Sequence, residues 1–230
     1  SKSAQLDNSG NFRFEFKLDE KGLVALINPN NNHFYSSAPI LLYASPGDSI
    51  FVNFSLKNKE SQYPKDKYTY KATIPDVITF SGDRQKESQL LYKFQTLNDL
   101  LPLAYSYNRI YTDEIQLDLT KLISSLAKLP VLLKPLDEDK SCSESALYLN
   151  RELQAYIYSI LFDARAAEQT SKFRLNFGGP VIPENRKDIV FNQLDTVNIQ
   201  RIYNDYGIFS RGLTESYVGY KTYRLANTNS

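Results

Sequence analysis

Cysteine is the residue of this sequence whose chemistry is most distinctive, and it occurs once, at Cys142. Cys142 stands between two serines and follows Lys140, at the expected start of a helix, where backbone dipoles and a nearby cation favour a thiolate. A dithiol reductase needs a second cysteine, usually in a Cys-x-x-Cys motif, to resolve its mixed disulfide. We therefore predict that Cys142 is a structural or incidental thiol, or a thiol that links to a partner.

Other catalytic arrangements need residues that the sequence supplies too sparsely. His33 is the only histidine; it lies in an asparagine-rich stretch, and no Gly-x-Ser-x-Gly motif accompanies it. Gly178-Gly179-Pro180 lacks the Lys-Ser/Thr of a P-loop, and its proline has no amide to offer a phosphate. We predict a structural role for His33, at or near the surface, and a simple loop at residues 178–180.

Metal sites and paired carboxylates are also poorly supported. One histidine and one cysteine cannot form a zinc site without carboxylates. The acidic run Asp137-Glu138-Asp139 matches no EF-hand spacing, and we predict that residues 136–140 form a charged surface loop. A hydrolase that uses two of the 26 acidic residues stays open as a third hypothesis. We assign no catalytic, cofactor-binding or metal-binding residue and no cofactor.

Length and composition set the class of protein. The chain has 230 residues, of which 42% are hydrophobic, enough for one large domain or two ordinary ones. A net charge of +1 gives no global field for nucleic acid, so we expect none as a partner. No apolar run approaches the roughly 20 residues of a membrane span. The first residues lack the regions of a signal peptide, but the chain contains no methionine, which suggests a trimmed sequence and leaves export open.

Strand patterns occupy the first part of the chain. Phe12, Phe14, Phe16 and Leu18 alternate with polar residues and predict an amphipathic strand, paired in a hairpin with a buried strand at 23–27. Further apolar runs lie on both sides of a Ser-Pro-Gly-Asp-Ser turn at 45–49, in which the proline presets φ and the glycine supplies a positive φ.

Strand signals resume after a predicted exposed loop at 57–67. They cover 68–74 and 77–80 and are separated by Pro75-Asp76. We predict an antiparallel β-sandwich or small barrel over residues 1–82.

The pattern then changes to helical periodicity. Ser81-Gly82-Asp83 could cap a helix, and the following apolar stripe is Leu90, Phe94, Leu97 and Leu101. A second helix is predicted at 117–129 with Pro130 as its stop, and a third from Ser141 or Ser143 to about residue 169. Helix is also predicted at 194–206 and, weakly, where Tyr217, Tyr220 and Tyr223 lie three apart. The fold class is therefore α+β, with a mainly helical domain at 83–230.

Three short segments carry a family resemblance. Residues 10–16 (Gly-Asn-Phe-Arg-Phe-Glu-Phe), the Pro-Gly-Asp-Ser-Ile run at 46–50 and the Ile-Thr-Phe-Ser-Gly-Asp run at 78–83 stand in an order that resembles the N-terminal β domain of TlpA-type, thioredoxin-like thiol-disulfide oxidoreductases of the Bacteroidetes envelope. The resemblance covers residues 4 to about 100. It implies an exported, periplasmic or lipid-anchored protein. Family activity resides in a Cys-x-x-Cys domain that this chain lacks, so no catalytic residue is carried over.

Two main functional hypotheses follow. The first is a non-catalytic scaffold or docking region of such an oxidoreductase, whose partner is another protein or a C-terminal thioredoxin-like domain, with a homodimer as a further option. The second is an independent glycan- or peptide-binding envelope protein, suggested by the 17 tyrosines.

Overall fold

The computed structural model describes residues 7–26, 40–60, 71–97, 115–173, 194–205 and 207–228. Its strands are β1 (Gly22–Leu26), β2 (Ile40–Ala44), β3 (Ile50–Glu60) and β4 (Lys71–Gly82). Its helices are α1 (Gln85–Leu97), α2 (Ile115–Asp137), α3 (Ser143–Phe173), the one-turn α4 (Ile199–Ile202) and α5 (Ile208–Thr228). The predicted order of strands before helices, and with it the α+β class, is confirmed. His33, Leu101 and residues 178–180 lie outside the described residues.

The described strands form two antiparallel sheets of two strands each. β1 pairs with β2, with Gly22 opposite Ala44, and β3 pairs with β4, with Ile50 opposite Gly82. The antiparallel arrangement agrees with the prediction. A sandwich or barrel is not shown, since the described strands form no closed sheet.

The predicted strand at Phe12–Leu18 is wrong. These residues belong to no ladder, and the partner of β1 is β2 instead. The Phe12 ring still lies 6.1 Å from that of Phe54 and 5.4 Å from that of Phe14, measured between centroids. Alternation of apolar and polar residues reports which side of an extended chain meets an apolar surface. The same pattern therefore arises wherever such side chains meet an apolar surface, whether or not the segment belongs to a ladder.

The Pro-Gly-Asp-Ser turn has the predicted conformation. The Asp48 amide donates to the Ser45 carbonyl at 3.1 Å, and Gly47 has φ +88°. The turn nevertheless joins two different sheets, because β2 and β3 have different partners. In β3 the predicted alternation holds at its start, where Phe51 is 65% exposed while Val52 packs inward.

The β3–β4 hairpin is longer than predicted. β3 continues to Glu60, so the loop predicted from residue 57 is wrong for its first four positions. β4 is one strand that passes through Pro75 and Asp76. The register shifts between Asn53 and Ser55, close to that proline, and an irregularity of this kind accommodates a residue that cannot donate to the ladder.

The prediction that Pro130 ends the second helix is wrong. α2 runs through Pro130 and Pro135 to Asp137. A proline removes one helical hydrogen bond, but Leu129, Leu133 and Leu136 form a fully buried stripe that holds the segment against the core. The charged loop therefore begins later than predicted, and Leu136 is not part of it.

The remaining helices differ from the predicted ones mainly in their bounds. α1 starts close to the predicted cap, and its Leu90 and Phe94 are buried as expected. α3 ends at Phe173, four residues beyond the predicted end, and α5 covers the tyrosine-rich stretch. The helix predicted at 194–206 is wrong, since a 3₁₀ turn and the one-turn α4 take its place.

Two apolar cores are built on either side of β2. The helical core joins all five helices to β1 and β2, and Leu41 and Tyr43 enter it. The sheet core contains Ile40 and Leu42 from β2 together with Ile78 and Phe80 from β4. All five residues of β2 are consequently buried. None of the helices described is long and apolar enough to cross a membrane.

Candidate functional site

The turn at 45–49 and the chain corner at Gly82–Arg84 lie against each other. The Ser49 amide donates to Asp83 Oδ2 at 2.8 Å, and the Asp83 amide donates to the Ser49 carbonyl at 2.9 Å. Gly82 has φ +84°, and a Cβ there would collide with the same Ser49 carbonyl. Two of the three segments that carry the family resemblance thus meet in space, and we name this contact, made by Ser45, Asp48, Ser49, Asp83 and Arg84, the corner joint.

Arg84 is the hub of the corner joint. Its Nε donates to Asp48 Oδ2 at 2.9 Å and its Nη2 donates to Ser45 Oγ at 3.2 Å. The guanidinium carbon lies 5.9 Å from the centroid of the Tyr43 ring, within the range of a cation–π contact. The hydrogen bond to Asp48 raises the pKa of Arg84. The Arg84 backbone has φ +56°, a conformation that L residues rarely adopt.

The contacts of Arg84 extend into the helical core. Its Nη1 lies 3.6 Å from Glu87 Oε1, and the Glu87 side chain is almost fully buried. Ser145 Oγ at the start of α3 lies 2.9 Å from the same Glu87 oxygen, to which it can donate. A continuous set of polar contacts therefore connects the turn between β2 and β3 with the first turn of α3.

Cys142 lies beside this network, in a 3₁₀ turn at Lys140–Cys142. Asp139 caps that turn by accepting from the Ser141 amide at 3.0 Å and from Ser141 Oγ at 2.6 Å. The cap predicted from Ser141 or Ser143 concerns the following helix, α3, and stays a prediction. Lys86 of α1 pairs with Asp139 and holds the pKa of that carboxyl far below its usual range. The predicted position of Cys142 next to a helix start is confirmed, and its side chain is buried in the helical core.

A second polar cluster lies at the start of α5, and sequence reasoning missed it. The fully buried Glu152 of α3 accepts from the Phe209 amide at 2.9 Å, from Ser210 Oγ at 2.5 Å and from Asn204 Nδ2 at 3.0 Å. A Cβ on Gly207 would lie 2.5 Å from Glu152 Cδ. We call these five residues the buried cap, because a carboxylate satisfies amides at a helix N-terminus. Its one sequence signal is an acid between Leu149 and Leu153.

The interface of α3 and α5 contains one more acid. Burial raises the pKa of Asp163, and a hydrogen bond with Ser216 offsets part of that effect. Along the same interface the Phe162 ring packs on Tyr217 and Tyr220, with centroids 5.3 and 5.2 Å away. Tyr43, Tyr156 and Tyr220 are buried, so these three rings contribute to the helical core and not to an exposed aromatic platform.

The polar clusters described above hold secondary-structure elements together. Their carboxylates accept hydrogen bonds from neighbouring elements and thereby fix the relative positions of those elements. Over the described ranges, no group of three or more His, Cys, Asp or Glu side chains could hold a metal ion. Comparison of the chain with protein-family models, with curated proteins and with solved structures gives no match.

Proposed function

We propose that this chain is a non-catalytic scaffold or docking region of an exported, thioredoxin-like thiol-disulfide oxidoreductase. The observation that carries the proposal is the corner joint. Two short segments, taken from the sequence as family signatures, contact each other through reciprocal hydrogen bonds between Ser49 and Asp83, which are 34 positions apart in the chain. The β3–β4 register, which sets Ile50 opposite Gly82, brings the two segments together, and their order along the chain is the one that the resemblance implies.

The chemistry of the thiol supports a non-catalytic role. Dithiol exchange needs a resolving sulfur, and Cys142 is the only one in the chain. Cys142 is buried within the helical core, whereas reactive thiols are at least partly accessible. A redox centre would therefore come from a partner or from a further domain, which this region would hold in position.

The two β-hairpins share an apolar layer. Ile40 and Leu42 of one sheet share an apolar cluster with Ile78 and Phe80 of the other. Facing sheets that share an apolar layer are the basis of a β-sandwich. We propose that the two hairpins are the opposed halves of a small sandwich, and that the protein acts in the periplasm or on the cell envelope.

Insulin reduction tests the catalytic part of this proposal. The purified chain, with glutathione as reductant, is expected to give no turnover above the rate of glutathione alone. The Cys142→Ser variant is the matched control. Turnover that occurs with the original chain and disappears in Cys142→Ser would refute a non-catalytic role.

The reading frame beyond Ser230 tests the architectural part. A thioredoxin-like unit with a Cys-x-x-Cys motif is expected there or in a partner encoded nearby. Fractionation of cells that express the full gene should place the protein in the envelope. A continuation without any such unit, together with a cytoplasmic location, would exclude this function and leave glycan or peptide binding, which a glycan array then tests.

A further inference from the structure

Arg84 combines an unfavourable backbone conformation with an unusual number of favourable side-chain contacts. Its φ of +56° is rare for a residue with a side chain, and such a conformation persists only where the surroundings hold it. Here the surroundings are Asp48, Ser45 and Glu87, each of which faces one nitrogen of the guanidinium. The backbone strain therefore destabilises this conformation of Arg84, whereas the side-chain contacts stabilise it.

The position of Arg84 makes this opposition consequential. The residue lies between the end of β4 at Gly82 and the start of α1 at Gln85, so its φ sets the angle at which the hairpin leaves the helices. The Ser88 amide donates to the Arg84 carbonyl at 3.0 Å, which fixes the helical side of the corner. The sheet side is fixed by the reciprocal bonds between Ser49 and Asp83.

We propose that the corner joint is a conformational clasp with two positions. In the closed position, which the structure presents, Arg84 binds Asp48 and Glu87 and the β3–β4 hairpin is locked to α1 and, through Ser145, to α3. In the open position the guanidinium leaves Asp48, the Arg84 backbone returns to an ordinary negative φ, and the hairpin tilts about residues 83–84. Ile78 and Phe80 of β4 then repack against Ile40 and Leu42 of β2, with which they share the sheet core.

The charges predict how the clasp responds to its surroundings. Arg84 is 32% exposed and Asp48 is 13% exposed, so solvent ions reach one side of the pair. Added salt weakens such a contact while leaving the backbone strain unchanged. The open position is therefore expected to gain population as the salt concentration rises. This inference concerns motion within the chain and does not depend on the proposed redox partner.

Distance measurements between spin labels test the clasp directly. Labels are placed at the exposed positions Thr79 on β4 and Arg211 on α5 by cysteine substitution in a Cys142→Ser background. Arg84→Ala, which keeps the unfavourable φ but removes the guanidinium, and Asp48→Asn are each expected to add a second distance population. The control Arg13→Ala removes an arginine whose ion pair is fully on the surface, and it should leave the single population unchanged.

Amide hydrogen exchange on the unmutated chain provides a test that needs no variant to fold. The Ser49 and Asp83 amides are expected to exchange at least about tenfold faster than that of Leu153 in α3, with a rate that rises with salt, because they open with the clasp and not with global unfolding. The clasp is overturned if both clasp variants keep the single distance population, or if these two amides exchange as slowly as that of Leu153.

Discussion

Gly207→Ala is a substitution for which the structure predicts a large effect from a small chemical change. The added methyl would lie 2.5 Å from Glu152 Cδ and 2.8 Å from Glu152 Oε2, where ordinary contacts begin at 3.4 Å. Glu152 Oε1 would lie closer still, so Glu152 must withdraw by more than about 1 Å, since atoms in close-packed interiors do not interpenetrate. Its withdrawal breaks hydrogen bonds to Phe209 and Ser210, which measure 2.9 and 2.5 Å.

The magnitude follows from those two bonds. Hydrogen bonds to a charged group contribute about 1.5–3 kcal/mol each, so the loss of two is expected to cost about 3–6 kcal/mol of the free energy of unfolding. For a chain of this length that corresponds to a fall of roughly 6–24 °C in Tm. Urea unfolding followed by the circular dichroism of the helices measures the loss.

Gly212→Ala, in the helix that begins directly after Gly207, is the matched control. A Cβ there meets nothing within 4 Å, so alanine should stabilise α5 by about 0.5–1 kcal/mol through its better helix propensity. Adding Gly207→Ala to Glu152→Ala should cost far less than adding it to the original chain, because the clash is gone. A loss below about 1 kcal/mol in Gly207→Ala, or additive effects in the double variant, would refute the buried cap as described.

Two further substitutions and one reagent probe Asp163, Asp139 and Cys142. Asp163→Asn should stabilise the protein at neutral pH, since burial raises the pKa of Asp163 and disfavours its charged form, and in urea titrations this advantage should shrink as acid protonates the original carboxyl. Lys86 lowers the pKa of Asp139, so the pH dependence has the opposite sign: the free energy of unfolding should fall below about pH 4 as Asp139 is protonated. An Asp139→Asn variant whose stability falls with acid as that of the original chain does would contradict this. Cys142 should react with Ellman's reagent fully in urea but at least about a hundredfold more slowly in the folded chain, because buried thiols are inert; fast labelling without urea would place the thiol at the surface.

Local chemistry made several elements predictable and long-range contacts made others unpredictable. The positive φ of Gly47 follows from its place after a proline in a turn, and the stripe of Leu90 and Phe94 follows from helical spacing. Pro130 shows the limit, because tertiary packing outweighs one missing helical hydrogen bond. Phe12–Leu18 shows another, because no pattern within a segment reveals whether its backbone has a partner.

The candidate sites also contain a part that the sequence indicates and a part that depends on long-range contacts. The turn and corner segments were noticeable as short motifs, but their contact joins Ser49 to Asp83 across an entire hairpin, which no local spacing encodes. The buried cap was still harder to predict from the sequence. Glu152 meets Asn204 and Ser210 more than fifty residues away in the chain, and only a solitary acid within an apolar helical stripe hints at it.

The five residues of β2 lie between two apolar cores, with Leu41 and Tyr43 facing one and Ile40 and Leu42 facing the other. An ordinary amphipathic strand tolerates polar substitutions at every second position, but this one has no side left for water. A saturating mutational scan should therefore find consecutive intolerant positions from Ile40 to Ala44, in contrast to the alternating tolerance at the start of β3. A substitution at any position from Ile40 to Tyr43 would disturb one of the two cores directly, so this short strand has little freedom to evolve.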